Sequence, residues 1–199
     1  DEGAAKLGEA LKVNTTLTQL ILGYNSISGE GAAKLGEALK VNTTLTSLSL
    51  RGNRRIKDVT GLGKALKVNT TLTSLDLKIN RIEDVTELGN ALKVNTTLSS
   101  LNLKYNRIED ATELGNALRH NTTLTLLEIR NNNSLEGLKQ LEKAMEHRSF
   151  VKKQTQNNNF TLLCQYFYGK QECSLHMLPL EMIYGIIHYT SISSLLIKF

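Results

Sequence analysis

The stretch Leu17-Thr18-Gln19-Leu20-Ile21-Leu22-Gly23-Tyr24-Asn25-Ser26-Ile27 decides the fold, because it returns at Leu45, Leu72, Leu98 and Leu124 with spacings of 28, 27, 26 and 26 residues. The duplication can be read directly: Glu2 through Thr18 is identical, residue for residue, to Glu30 through Thr46. Each copy has the form L-x-x-L-x-L-x-x-N-x-I, followed by a segment such as Glu83-Asp84-Val85-Thr86-Glu87-Leu88-Gly89-Asn90-Ala91-Leu92-Lys93-Val94-Asn95. Periods of this length mean stacked structural units, each too small to bury its own apolar residues.

The first half of a unit reads as a short strand. Leu20 and Leu22 point one way while Gln19, Ile21 and Gly23 point the other, and the same alternation holds for Leu48/Leu50, Leu75/Leu77, Leu101/Leu103 and Leu127/Ile129. In the second half the apolar spacing changes to that of a helical stripe, as in Val85, Leu88, Ala91 and Leu92, or Ala111, Leu114, Ala117 and Leu118. Asp84 with Glu87, and Asp110 with Glu113, give the D-x-x-E pattern of a capped helix start; Lys93 or Arg119 occupies the last turn, where a cation suits the helix dipole. Asn95 or Asn121 is then expected to end the helix in a left-handed conformation. The Asn25, Asn53, Asn80, Asn106 and Asn132 positions fall where the strand turns away, so their amides are expected to form a ladder satisfying backbone groups in the loop.

Stacking joins the strands into a parallel sheet and the helices into a second layer. The pattern, with its long helical half, resembles the ribonuclease-inhibitor-like class of leucine-rich repeats over roughly residues 1–150. That resemblance implies an α/β leucine-rich-repeat solenoid, a horseshoe with a concave parallel sheet and convex helices. Members of the class include intracellular inhibitors, sensor-protein recognition domains and effector proteins of intracellular bacteria, and they bind other proteins on the concave face. This chain departs from the class in having few units, and it opens within a helix with no preceding strand or polar cap. Either the sequence is truncated or its first repeat is left open.

Composition agrees with a soluble chain of 199 residues organised as an array plus a tail. The two cysteines, Cys164 and Cys173, are too few and too late for the disulfide-stapled caps of secreted repeat proteins, which favours a cytoplasmic setting, or a host cell cytosol for an effector. The array carries Asn-Thr-Thr at Asn14, Asn42, Asn69, Asn95 and Asn121. Each is formally a glycosylation sequon, read here as a helix-to-strand turn.

Functional information lies in residues that vary between otherwise similar units, since the framework positions are set by packing. The outward strand positions form three columns: Gln19, Ser47, Ser74, Ser100 and Leu126; Ile21, Ser49, Asp76, Asn102 and Glu128; and Gly23, Arg51, Lys78, Lys104 and Arg130. Strands about 4.8 Å apart would place the four cations of the third column on a line roughly 15 Å long. Tyr24, Ile79 and Tyr105, just beyond it, add apolar anchors. A strip of this kind would orient an acidic segment of a protein ligand, with the carboxylates of Asp76 and Glu128 excluding wrong registers. The bland alternative is a sheet face kept soluble by its charges.

Other classes of function find less support. Net charge of +5 and a pI near 9.2 permit nucleic-acid binding, yet the basic line lacks interleaved stacking aromatics. An enzyme is not indicated. Gly61-Leu62-Gly63-Lys64 has the look of a phosphate loop, but Asp58 and Ala65 stand where a Walker motif needs glycine and serine or threonine; it and Gly29-Glu30-Gly31 with Gly36 read as packing glycines. Cys164, Cys173, His176 and His188 match no zinc-finger spacing, so neither metal nor cofactor is expected.

After Phe150 the repeat ceases, and residues 151–159 read as a polar linker. Residues 160–168 are apolar enough for a helix capping the last repeat, and residues 151–199 as a whole are expected to be a helical cap. Within them Leu178, Pro179, Glu181, Ile183, Ile186 and Ile187 resemble the opening of an F-box, which implies docking to a ubiquitin-ligase adaptor subunit. The similarity covers only about twenty residues, and Thr190 stands where a leucine is usual. The run from Met182 to Phe199 is interrupted by His188 and several hydroxyl residues and is too short to span a bilayer.

Overall fold

The computed structural model describes residues 1–133. Over that span α1 (Glu2–Val13), β1 (Gln19–Ile21), α2 (Gly29–Leu39), β2 (Ser47–Ser49), α3 (Thr60–Leu66), β3 (Ser74–Asp76), α4 (Thr86–Leu92), β4 (Ser100–Asn102), α5 (Thr112–Leu118) and β5 (Leu126–Glu128) alternate without exception. The strands form one parallel sheet in the order β1-β2-β3-β4-β5, and each helix packs on the next. The register runs Leu20↔Leu48↔Leu75↔Leu101↔Leu127, so equivalent residues of successive units are direct neighbours.

The core between the layers is a stack of identical rows. Leu48, Leu75 and Leu101 from the strands, Ile56, Ile82 and Ile108 from the loops, and Leu62, Leu88 and Leu114 from the helices are all buried. Strand β1 pairs with β2, and its Leu20 and the following Leu22 are partly buried. The helices approach closely because of glycine. A Cβ on Gly63 would lie 2.8 Å from the Glu87 carbonyl carbon, and one on Gly89 would lie 2.6 Å from that of Glu113. Gly61, Gly63 and Gly36 are therefore packing residues of the helical layer rather than a phosphate cradle.

Two asparagine ladders satisfy the backbone where each coil leaves the regular elements. At the strand ends Asn53 donates to Leu22 O and Leu50 O, at 2.8 and 2.9 Å, and its Oδ1 accepts from Asn25 N and Ile27 N. Asn106 and Asn132 repeat the pattern, accepting from Ile82 N and Ile108 N. Asn80 donates to Leu50 O and Leu77 O, but its Oδ1 is buried without a partner. The cause is the additional residue in Asn53-Arg54-Arg55-Ile56: the Ile56 N–H turns to Asn53 O at 2.8 Å and is lost to Asn80.

The second ladder occupies the Asn-Thr-Thr positions. The expected left-handed helix end there is corrected: none of these asparagines has positive φ. Instead the last turn stays right-handed through Lys93, the Asn95 N–H closes on Ala91 O at 2.8 Å, and the side chain starts the next strand. Asn95 Oδ1 accepts from Thr97 N and Leu98 N, and its Nδ2 donates to Leu66 O and Asn69 O of the preceding coil. Asn42, Asn69 and Asn121 do the same. The nitrogen that a glycan would need is thus committed in four of the five Asn-Thr-Thr sequons; of these five only Asn14 is exposed.

The capping expectation is also corrected. Asp84 and Asp110 lie two residues ahead of Thr86 and Thr112 and accept their N–H at 2.7 Å, while an extended bridge joins Asp84 to Asp110. Helices α3 to α5 are consequently only 7 residues long, against 12 and 11 for α1 and α2. Glu87 and Glu113 do not reach back to close a box. They pair across coils with Lys67, at 2.7 Å, and with Lys93. The lysine hydrogen bond holds each carboxyl below the usual glutamate range.

Candidate functional site

Parallel pairing in this register turns the variable strand positions into columns. Ser49, Asp76, Asn102 and Glu128 are matched Cα to Cα along the sheet. Backbone pairing continues two residues past the named strands: Tyr24 N donates to Arg51 O, Gly52 N to Lys78 O, Ile79 N to Lys104 O and Tyr105 N to Arg130 O, at 2.8 to 3.0 Å. Gly23, Arg51, Lys78, Lys104 and Arg130 therefore stand in one row.

The charged heads of that row are not equivalent. Lys104 pairs with Glu128, whose other oxygen accepts from Asn102 Nδ2 at 2.7 Å. This network fills the β4–β5 end of the face with internal contacts. Asp76 is engaged too, accepting from the Lys78 N–H at 3.0 Å and from Ser49 Oγ at 3.4 Å. Lys78 lies 5.5 Å from the centre of the Tyr105 ring, and the Arg51 guanidinium lies 5.7 Å from that of Tyr24. Among the described residues Arg51, Lys78 and Arg130 have no carboxylate partner.

Immediately after the basic row the chain turns through the left-handed region in every coil: Tyr24 (φ 60), Gly52 (φ 72), Ile79 (φ 60), Tyr105 (φ 56) and Asn131 (φ 60). Glycine and asparagine suit this conformation, whereas a β-branched or aromatic residue there costs about 1–2 kcal/mol. The turn itself is required by the coil. What varies is whether a coil meets it with an undemanding residue or with a large one, as coils one, three and four do.

Beyond the turn lies a feature that strand periodicity did not reveal. Arg54, Arg81 and Arg107 follow the asparagines of the first ladder, are exposed, and form a second basic row parallel to the first. With Lys78, Ile79 and Tyr105 they line an open groove of about 620 Å³, whose remaining walls are Asn80, Asn106 and Asn131. Among the described residues no carboxylate lines it. The signal was present in the sequence as N-R-x-I or N-R-I, but a reading confined to strand positions stops short of the loop.

The family pattern described as Leucine Rich repeat matches residues 13–36, 41–59, 68–85 and 94–111, the same coils that the sheet register stacks. The described residues form a leucine-rich-repeat solenoid. Among solved structures the solenoid is similar to "Leiomodin-1 Actin-Binding Site 2", at 21% identity and a TM-score of 0.54, covering 79% of this chain and 96% of that one. It is also similar to the tropomodulin C-terminal domain of Caenorhabditis elegans, at 15% identity and a TM-score of 0.52, covering 79% of this chain and 98% of that one. These likenesses are of fold. A comparison with curated proteins finds no match.

Several sequence readings fall outside the described residues. The helical cap of residues 151–199, the F-box-like Leu178, Pro179, Glu181, Ile183, Ile186 and Ile187, and the Cys164, Cys173, His176 and His188 group all lie beyond residue 133. Among the described residues no three His, Cys, Asp or Glu side chains converge as a metal site would require, and no helix is long and apolar enough to cross a membrane.

Proposed function

We propose that this leucine-rich-repeat solenoid is a non-catalytic recognition module of the ribonuclease-inhibitor-like type. It captures a protein ligand bearing an acidic segment on its concave sheet face, in the cytoplasm. The observation that carries the reading is the gathering of coil-to-coil variation into one row, with Arg51, Lys78 and Arg130 uncommitted to any carboxylate among the described residues. Tyr24 and Tyr105 sit beside that row at 65% and 51% exposure, and aromatics combined with arginine are the composition of interface anchors. Lys104, Asn102 and Glu128 position the face rather than supply its net charge, and Asp76 selects register.

Affinity capture from cytosolic extract tests the proposal, with R51E/K78E/R130E as the control and purified actin as one arm because the leiomodin-1 domain is an actin-binding site. Ligand capture is expected from the parent and is lost, with salt sensitivity, in the variant. Equal capture by both, with circular dichroism unchanged, refutes it.

A second reading rests on the Leu178-Pro179-Leu180-Glu181-Met182-Ile183 motif: a substrate receptor that delivers the captured protein to a ubiquitin ligase. Co-purification with the ligase adaptor subunit, abolished by deleting residues 177–199, is its test. Nucleic-acid binding, the third reading, predicts retention on single-stranded DNA that collapses with salt.

A further inference from the structure

We infer that the groove at the strand-end rim, rather than the middle of the sheet, is where the acidic segment of a protein ligand is held. Arg81 and Arg107 are its principal contacts, and Ile79 and Tyr105 are its apolar floor. This rests on the concave-face reading above and moves its centre by one loop.

Three observations lead there. The first is electrostatic. On the sheet, cations alternate with acceptors: Glu128 takes Lys104, and Asp76 sits between Ser49 and the Lys78 backbone. In the groove Arg54, Lys78, Arg81 and Arg107 share one lining, and among the described residues no carboxylate joins them and none of the four has an ion-pair partner. Like charges gathered around one groove repel, an arrangement that folding does not favour and that an anion relieves.

The second is conformational. At the left-handed turn the solenoid would be more stable with glycine or asparagine, which coils two and five carry as Gly52 and Asn131. Coils three and four, which contribute most of the groove lining, instead carry Ile79 (φ 60) and Tyr105 (φ 56), as coil one carries Tyr24 (φ 60) beside the basic row. Strained backbone of this kind concentrates at binding sites, where the side chain displayed matters more than the cost of displaying it.

The third is shape. Arg54, Arg81 and Arg107 come from successive coils, about 5 Å apart by the strand spacing, so the row runs across the coils. An extended chain laid along it, with acidic side chains on one face, meets each guanidinium in turn, and the planar fork suits a carboxylate. A nucleic acid fits less well, because Lys78 occupies one face of the Tyr105 ring, 5.5 Å from its centre, and Ile79 offers no stacking surface.

The test is fluorescence anisotropy of the full chain with labelled decaglutamate, with oligothymidylate and a phosphoserine peptide as parallel probes. The groove pair R81E/R107E, its neutral form R81Q/R107Q and the sheet pair R51E/R130E are compared, each checked for folding by circular dichroism. Decaglutamate is expected to bind at low salt. Its affinity is expected to drop about tenfold or more in R81E/R107E, by an intermediate factor in R81Q/R107Q, and by less than about threefold in R51E/R130E. Loss in R51E/R130E with R81E/R107E unaffected overturns the groove and leaves the concave-face reading standing. Failure of the parent to bind decaglutamate, or binding equal in all forms, overturns both. Tighter binding of oligothymidylate or of the phosphoserine peptide, with the same dependence on Arg81 and Arg107, overturns the assignment of an acidic, unmodified segment as the occupant.

Discussion

Replacing Asn95 by alanine removes one side chain but uncouples four backbone groups, and the resulting loss of stability should far exceed that of the same change at Asn14. Asn95 is 5% exposed; it donates to Leu66 O and Asn69 O, at 2.7 and 3.1 Å, and accepts from Thr97 N and Leu98 N, at 3.0 and 2.8 Å. A buried hydrogen bond contributes roughly 1 kcal/mol net, and a stranded buried partner costs more, so Asn95→Ala should lose about 3–5 kcal/mol. Asn14 belongs to the same Asn-Thr-Thr motif but is exposed, and the bonds described for its side chain are the two it accepts from Thr16 N and Leu17 N. Water replaces these readily, so Asn14→Ala should lose less than about 1 kcal/mol. Urea unfolding followed by far-ultraviolet circular dichroism measures both, with the slope m reporting whether the coils still unfold together. Equal losses at the two positions, or a loss below about 1.5 kcal/mol at Asn95, would show that the ladder does not hold coils together and that the motif is only a turn.

Other outcomes follow from the same contacts. Deleting Arg55 returns the loop to the length of its neighbours and lets the Ile56 N–H reach the unpartnered Asn80 Oδ1, so the urea midpoint should rise by the equivalent of about 1 kcal/mol; a fall shows that the added residue has its own packing role. Gly89→Ala should destabilise by about 1–3 kcal/mol, since the new methyl would sit 2.6 Å from the Glu113 carbonyl carbon of the next helix, whereas Gly3→Ala, with open space around it, should be neutral or stabilising in thermal melts. Glu87 and Glu113 have depressed folded-state pKa values because of Lys67 and Lys93, so their contribution is present above the ordinary glutamate pKa and is lost as pH falls through the lowered folded value. Melting temperature should therefore decline on acidification below about pH 4.5, and less steeply in E87Q/E113Q.

Much of the solenoid was legible in the chain because its determinants are local and repeated. The alternation of Leu48 and Leu50 with outward residues, and the helical stripe of Val85, Leu88, Ala91 and Leu92, each need one neighbouring coil to be satisfied, and the repeat guarantees that neighbour. The Asn53, Asn106 and Asn132 ladder was readable for the same reason. Helix ends were misread where local rules compete with contacts from the next coil. Glu87 looks like half of a capping box in sequence, yet Lys67 of the previous coil takes it, and Asn95 looks like a left-handed terminator, yet it spends its amide on Leu66 and Asn69.

The candidate site divides along the same line. Periodicity by itself set which residues share the concave face, since side-chain direction in a strand follows from position alone. Which charges on that face are free depended on side-chain reach between coils: Glu128 lies 24 residues from Lys104 yet closes on it, leaving Arg51, Lys78 and Arg130 without such a carboxylate partner among the described residues. The sequence determined that this chain is a stack of α/β coils, because five near-copies of one amphipathic unit can bury their leucines in no other arrangement. Only the tertiary structure decided that Arg54, Arg81 and Arg107 meet Lys78, Ile79 and Tyr105 around one groove, because loop geometry and the left-handed turns depend on how each coil leans on the next.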